Sequence, residues 1–419
     1  MQAEVISIGD ELTTGQRLDT NSQWLSQRLG EIGIRVLFHT TVGDELEPNV
    51  QVFRQALARA DVVIITGGLG PTADDLTRQA VAEVLGLELL LDEPSWQHIQ
   101  NLFARRKREM PPQNVVQAMF PRGSRAISNP HGTAPGIAAE FPRAGRTPSH
   151  VFALPGVPAE MREMWDQTVA PALLSLMGEQ RRVIRHRSIR CYGVGESDLE
   201  RMLPDLIRRG RTPTVGITAS QATLTLRLTA EGATPAACDT ALEPTVELIC
   251  ACLGDLVFGE GEDELQDAVV RQLAERRQTL ATVECSSGGI LASWLSAADP
   301  SCRVYRGGTV TRDEAATVRL AGSAPGAIAA GREALAALVR VSAERRREQF
   351  QTDYALALGP FPAADFASPT PEAVHYALAG PGRVDAKSTL FTGHPDLLTA
   401  RTVKTALNFL RLTLKQVSP

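Results

Sequence analysis

The 419-residue sequence has no C-x-x-C pair: its six cysteines stand apart at 191, 238, 250, 252, 285 and 302. That excludes a zinc knuckle and argues against a disulfide framework, leaving reduced thiols in a core. There is no surplus of positive charge, the formal net charge being -5, so composition lends nothing to a nucleic-acid partner. The one basic run, "ARRKRE" at 104–109, reads as a solvated helix end. No apolar stretch approaches the ~20 residues of a membrane span. The opening "MQAEVISIGDE" lacks a basic segment followed by an apolar one, which points to a cytoplasmic protein with no membrane partner. Aromatics are scarce at 5%, but 43% hydrophobic and 22% charged residues describe an ordinary globular chain. Its length suits about three domains by a prior of roughly 150 residues each.

What is present is a rhythm. "VISI" (5–8) and "VVII" (62–65) are apolar at successive positions, as strands covered on both faces must be. Around them Trp24, Leu25, Leu29 and Ile32, then Phe53, Ala56, Leu57 and Ala60, then Leu76, Ala80, Val81 and Val84 trace helical stripes. The alternation predicts an α/β domain over 1–178 with a doubly wound parallel sheet, closed by the strand "VFAL" at 151–154. Over 179–260 the order becomes strand, helix, strand, strand, helix, strand, a split βαβ domain with Ser197 expected to cap its first helix. The acidic "GEGEDE" (259–264) reads as a linker to a second α/β domain over 261–419.

In a parallel sheet, ligands lie beyond the carboxyl ends of the strands. Three loops of the first domain belong there: "GDE" (9–11), "TGGLGPTADD" (66–75) and "PGVP" (155–158). Gly67, Gly68 and Gly70 let backbone N–H groups approach a phosphate, with the next helix presenting its positive end. Asp74 and Asp75, expected in that helix's first turn, suit the helix dipole and also a divalent cation. Read alone, the stretch is equally a capped helix after a glycine turn. Asp10 and Glu11 after the first strand, with Asp19 and Asn21 nearby, add oxygen ligands on the same edge. Carboxylates that repel a phosphate become useful once a Mg²⁺-like ion lies between.

These blocks carry a resemblance. "ISIGDELTTGQRLDTNSQWL", "TVGDELEPN", "TGGLGPTADDLTRQAVAEVLG", "NPHGTAPG" (129–136) and "LPGVPAEMREM" (154–164) resemble the amino-terminal domain of the CinA (competence-damage-inducible protein A) family. That domain is itself similar to the molybdopterin-binding MoaB and MogA proteins. The resemblance implies a metal-dependent pyrophosphatase that cleaves ADP-ribose to AMP and ribose 5-phosphate. Asp10, Asp74 and Asp75 would be catalytic, with Asp10, Glu11 and Asp75 holding Mg²⁺, Mn²⁺ or Co²⁺. The nucleotide would lie against Asn21, Thr66, Gly67, Gly68, Gly70, Thr72, Gly132, Thr133, Pro155 and Gly156. Thr66 and Thr72 would add hydroxyl donors. The relatives imply a homodimer. One block departs: where the family carries Asn-Arg-Lys-Gln-Ala, this chain has Asn114, Val115, Val116, Gln117 and Ala118, without the two basic residues. An adenylyltransferase of molybdopterin type, or a nucleotide-binding module without turnover, stays open on the same scaffold.

"TVECSSGG" (282–289) resembles the Thr-Ala-Glu-Ser-Cys-Thr-Gly-Gly block of the family's carboxy-terminal nicotinamide mononucleotide deamidase. Glu284 is kept, Cys285 stands where the serine nucleophile belongs, and Ser286 and Ser287 follow. The family's Tyr-Ser-Asn-Glu-Ala-Lys becomes Thr311, Arg312, Asp313, Glu314, Ala315 and Ala316, so the activating lysine is gone. Its Gly-Asp-Arg phosphate contact becomes Gly393, His394 and Pro395. General-base activation is worth about 10²- to 10⁴-fold, so a vestigial site at Glu284, Cys285, Ser286 and Ser287 is expected, with deamidase activity lost and Cys285 a small buried side chain.

Overall fold

The apolar run at the start of the chain does become a strand covered on both sides. In a computed structural model that describes all residues except 179–181, 204, 209, 323–331, 363–371, 393 and 417–419, Gln2–Ile8 forms β1 and is buried after its first residue. The chain divides into two compact units, residues 1–185 with 230–240, and 186–229 with 241–419.

In the first unit β1 is followed by α1 (Asp10–Thr13), α2 (Thr20–Glu31), β2 (Arg35–Val42), α3 (Leu46–Arg59), β3 (Val62–Thr66) and α4 (Thr77–Leu85). An excursion then builds β4 (Leu89–Leu91), α5 (Glu93–Arg105), β5 (Met119–Pro121) and β6 (Arg125–Ile127). The hairpin β7 (Gly136–Arg143) and β8 (Arg146–Leu154) returns to the sheet, and α6 (Pro158–Met164) passes through a π turn into α7 (Ala170–Met177). The sheet order is β2-β1-β3-β8-β7-β6. β2, β1, β3 and β8 run parallel, while β7 is antiparallel to both neighbours. The sheet is thus mixed at one edge, because the tight β7–β8 hairpin can only join antiparallel strands. One apolar layer packs Phe53, Leu57, Ala80 and Val81 on one face, and another packs Leu25, Leu29, Met161 and Trp165 on the opposite face. β2 escapes a sequence reading because it is an edge strand with mostly exposed or half-exposed side chains.

This topology sets the site. The chain leaves β1 for one side of the sheet and then crosses to the other for β3, so the strand order reverses between them. Ser7 lies beside Thr66 and Thr66 beside Leu154. The loops after Ile8, Thr66 and Leu154 therefore leave from one edge.

The middle region forms β9 (Val183–Cys191), α8 (Glu196–Met202), β10 (Thr214–Ser220), β11 (Thr223–Gly232), α9 (Pro235–Leu253) and β12 (Val257–Glu260), in sheet order β10-β11-β9-β12. That is the split βαβ order expected. α8 begins at Glu196 with Gly195 as its cap. Ser197 is therefore inside the helix, and Glu196 and Asp198 complement the helix dipole in its place. The stretch 259–264 is no loose linker. Arg187 pairs with Glu260 at 2.9 Å and Arg190 with Glu262 at 3.0 Å. Glu264 opens the next helix in a capping box with Asp267. Its carboxylate also takes Lys404 at 2.8 Å. The boundary expected between 178 and 179 meets residues 179–181, outside the described ones.

The last region holds α10 (Leu265–Glu275), β13 (Leu280–Cys285), α11 (Ile290–Ala298), β14 (Tyr305–Thr311), α12 (Glu314–Leu320), α13 (Arg332–Phe350), β15 (Tyr354–Leu358), β16 (Ala373–Gly380), β17 (Arg383–Leu390) and α14 (Pro395–Gln416). Its sheet order is β14-β13-β15-β16-β17, with β13 parallel to β14 and β15 and the last two strands antiparallel. No described helix is long and apolar enough to cross a membrane.

Candidate functional site

At the shared edge of β1, β3 and β8 lies a cleft of about 410 Å³ walled by all three loops. Gly67, Gly68, Leu69 and Gly70 form one wall, Thr133 and Ala134 another, and Pro155, Gly156 and Val157 a third. Five carboxylates line it (Glu11, Asp44, Asp74, Asp75 and Glu160) and no lysine or arginine does. The size suits a nucleotide, in a range of roughly 300–1,000 Å³ for small-ligand sites.

The glycine loop is built by its neighbours. Gly67 has φ +107 and presses against the Ile8 carbonyl, so a side chain there would break the approach of β1 to β3. Its N–H donates to Leu154 O at 3.1 Å and the Thr77 hydroxyl donates to its carbonyl at 2.8 Å. The Asp75 carboxylate accepts N–H of Gly70 at 2.7 Å, N–H of Thr72 at 2.9 Å, and the Thr72 hydroxyl. This fold-back displaces the helix: α4 starts at Thr77, so Asp74 and Asp75 precede its first turn instead of occupying it. Among the described residues the N–H groups of Gly68 and Leu69 have no protein partner, which leaves them as the loop's donors.

Several residues expected to touch a nucleotide are occupied elsewhere. The Thr66 hydroxyl is buried, donates to Pro155 O at 3.2 Å and accepts from Asn21 Nδ2 at 3.1 Å. Asn21 Nδ2 also donates to Gly156 O at 2.9 Å, so both residues hold the third loop in place. They face a smaller pocket of about 40 Å³, too tight for a nucleotide. Thr72 spends its hydroxyl on Asp75. Gly132 is shaped by Asn129 and Glu160, whose side chains fill the space a Cβ would need. Asn129 fixes that loop by donating to Glu160 at 2.7 Å and accepting from Gly132 N–H at 2.9 Å.

The acidic side also differs in detail from the sequence reading. Asp10 and Asp44 clasp each other's backbone: Asp10 N–H donates to Asp44 Oδ2 at 2.9 Å, and Asp44 N–H to Asp10 Oδ1 at 3.0 Å. Asp10 stands outside the cleft wall and Asp44 within it. Burial raises the Asp44 carboxyl above the usual carboxylate value, opposed by the Asp10 N–H; the charges of Asp10, Asp74 and Glu11 push it further up. Those four acids thus share one field. Among the described residues no three His, Cys, Asp or Glu converge as a ready-made cage. The donors fit a Mg²⁺-like ion that keeps most of its water and takes one or two carboxylates. Glu11, Asp44 and Asp74 line the cleft and are the ones placed to supply them: Asp10 stands outside its wall, the Asp75 carboxylate accepts three hydrogen bonds from its own loop, and Asp44 gives only Oδ2 to the Asp10 N–H. Asp44, Glu160, Asn129 and Arg78 were not singled out from sequence; all four lie inside the quoted motif blocks, which is the signal that could have found them.

The comparisons place the chain. The competence-damage inducible protein of Levilactobacillus brevis is 36% identical over 420 residues, spanning all of both chains. This chain belongs to the CinA family. A CinA-like protein of Dictyoglomus thermophilum is 39% identical over 319 residues, covering 76% of each chain. Three family models match in order: "Probable molybdopterin binding domain" over 4–175, "Damage-inducible protein CinA KH domain" over 186–259, and "CinA C-terminal domain" over 262–414. The structure of CinA from Thermoplasma acidophilum matches at 33% identity and TM-score 0.37, covering 41% of this chain and 98% of its own. The MoaB structure from Thermus thermophilus matches at 23% identity and TM-score 0.27, covering 42% of this chain and 94% of its own. By these family models and relatives the chain is a CinA-like protein with a molybdopterin-binding-type first domain and a CinA carboxy-terminal domain. The G-x-x-G loop by which KH modules clamp nucleotides does not occur in 186–259.

In the last domain the block 284–287 is held by local hydrogen bonds. Glu284 is fully buried and its carboxylate accepts Ser287 Oγ at 2.6 Å, Leu291 N–H at 3.0 Å and Ala292 N–H at 2.8 Å, capping α11. Cys285 is buried, as a small core side chain. Ser286 donates its hydroxyl to Arg312 O at 3.0 Å and its N–H to Thr311 O at 2.9 Å. Gly393 lies outside the described residues.

Proposed function

We propose that the first domain is a divalent-metal-dependent pyrophosphatase that cleaves ADP-ribose to AMP and ribose 5-phosphate, and that the last domain has lost deamidase activity. One observation carries the reading: a nucleotide-sized cleft at the strand-order reversal combines a glycine loop with five carboxylates and no cationic side chain. A diphosphate entering it needs a cation between its oxygens and those acids.

Glu11, Asp44 and Asp74 would hold the ion, which when bound supplies charge neutralisation and an acidified water. The N–H groups of Gly68 and Leu69 bind phosphate oxygens and orient the diphosphate. Thr133 and Gly156, on the facing walls, bracket the remainder. Hydrolysis joins the water oxygen to one phosphorus and breaks its bond to the bridging oxygen, which leaves with the other phosphate. The proton released by the water passes to solvent at the open face of the cleft, where Asp74 is exposed.

The test is incubation with ADP-ribose and Mg²⁺, Mn²⁺ or Co²⁺, followed by chromatography. AMP and ribose 5-phosphate in equal amounts, absent with a chelator, support the reading. Diphosphate released from ATP would favour adenylyl transfer, which the molybdopterin-binding family match suggests as the second reading.

A further inference from the structure

Beneath the glycine loop lies a charge that the proposed chemistry does not use. Arg78, on the first turn of α4, is 4% exposed. Its guanidinium donates to Leu69 O at 2.7 Å and Pro135 O at 3.0 Å. Among the described residues no carboxylate lies within ion-pair distance of it. A buried cation without a counter-charge costs several kcal/mol. Burial lowers its pKa to about 10, with the charge of Asp75 acting in the opposite sense.

The missing partner is one peptide away. Leu69 C=O and Gly70 N–H belong to the same amide. Arg78 grips its oxygen, and Asp75 Oδ1 accepts its N–H at 2.7 Å. A charge-assisted bond at each end polarises the amide in one direction, so each strengthens the other. Gln117 adds a second donor to Leu69 O at 3.4 Å. Arg78 also reaches Pro135, which ties the glycine loop to the 129–136 loop across the cleft.

We propose that Asp75 and Arg78 are an ion pair transmitted through the Leu69–Gly70 peptide. Both are positioning residues: the pair fixes the amide so that Gly68 and Leu69 present their N–H groups to a phosphate. Asp75 is thereby assigned to the loop and not to the metal. The ligand-binding half rests on the proposed reading of the cleft; the pairing itself does not.

The test is a double-mutant cycle with Asp75→Asn and Arg78→Gln, using Arg78→Lys, which keeps the charge but cannot span both carbonyls, should the glutamine variant fail to fold. Three readouts are taken: urea unfolding, AMP affinity by calorimetry in chelator, and Mn²⁺ affinity by electron paramagnetic resonance. Each single variant is expected to weaken metal-free AMP binding at least tenfold and leave Mn²⁺ affinity within threefold. The double variant should be no worse than the poorer single one, with tenfold or greater coupling in the unfolding constant. Additive losses in unfolding, or loss of Mn²⁺ binding in Asp75→Asn alone, would overturn the pairing. If the unaltered protein binds neither AMP nor Mn²⁺, the reading of the cleft fails, and the pairing stands or falls on the unfolding cycle.

Discussion

The ends of β3 and β13 are built alike and have come to opposite states. Each is a buried parallel strand that ends in a run of small residues and turns into a helix. At the first, the carboxylates of Glu11, Asp44 and Asp74 face an open cleft. At the second, Glu284 turns inward and accepts two N–H groups at the amino end of α11 and the Ser287 hydroxyl. The difference teaches what a strand-end turn needs for chemistry. Glycine makes room, but some carboxylates must be left free of the turn's own hydrogen bonds. Asp75 shows the same rule within the active-looking loop, since its carboxylate is spent on Gly70 and Thr72 while Asp44, from a different loop, lines the cleft.

The comparison can be broken most sharply at the acids. Asp44→Asn or Glu11→Gln is expected to lower metal-dependent AMP formation about 100-fold or more, within the range set by losing electrostatic stabilisation at a reacting centre. Full activity in both variants would remove the metal from the acidic wall. At the other turn, Glu284→Gln should cost about 3 kcal/mol in urea unfolding, because a buried charged acceptor of several bonds is replaced by a group that donates toward N–H. It should leave AMP formation unchanged.

Legibility in the sequence followed the same division. Continuous apolar runs and 3.6-residue stripes marked β1, β3 and the helices of the first sheet, because burial on both faces imposes them. β2, β7 and the 89–127 excursion were missed, since edge strands and short hairpins carry little apolar periodicity. The three loops of the site were legible from strand-end position. Their internal hydrogen bonding was not: nothing in "TADD" says that one aspartate folds back on Gly70 while its neighbour stays exposed. Nor does the spacing of Asp10 and Asp44 reveal that each accepts the other's backbone N–H.

Smaller effects sharpen the contrast. Asp44 binds its proton more tightly in the folded than in the unfolded chain, so its ionised form is a burden at neutral pH. The stability it withholds is present below the carboxylate range and lost as pH rises through its raised value. Asp44→Asn should therefore raise the melting temperature at pH 7 by ~1 °C while removing activity. For the same reason divalent affinity should begin to fall, on acidification, at a higher pH than an ordinary carboxylate gives. Cys285→Ala is expected to be the mildest, costing about 1 kcal/mol for lost packing, and neither it nor the unaltered chain should deamidate nicotinamide mononucleotide. Turnover of that nucleotide would show the second turn to be open after all.

In the proposed function a divalent cation reconciles the acidic wall of the cleft with a diphosphate. Calorimetric titration of ADP-ribose into the full chain, with Mg²⁺ and with chelator, tests it most directly. Saturable binding at least tenfold tighter with the metal, abolished in Glu11→Gln with Asp44→Asn, is the expected result. Equal affinity in both conditions, or none in either, would contradict it.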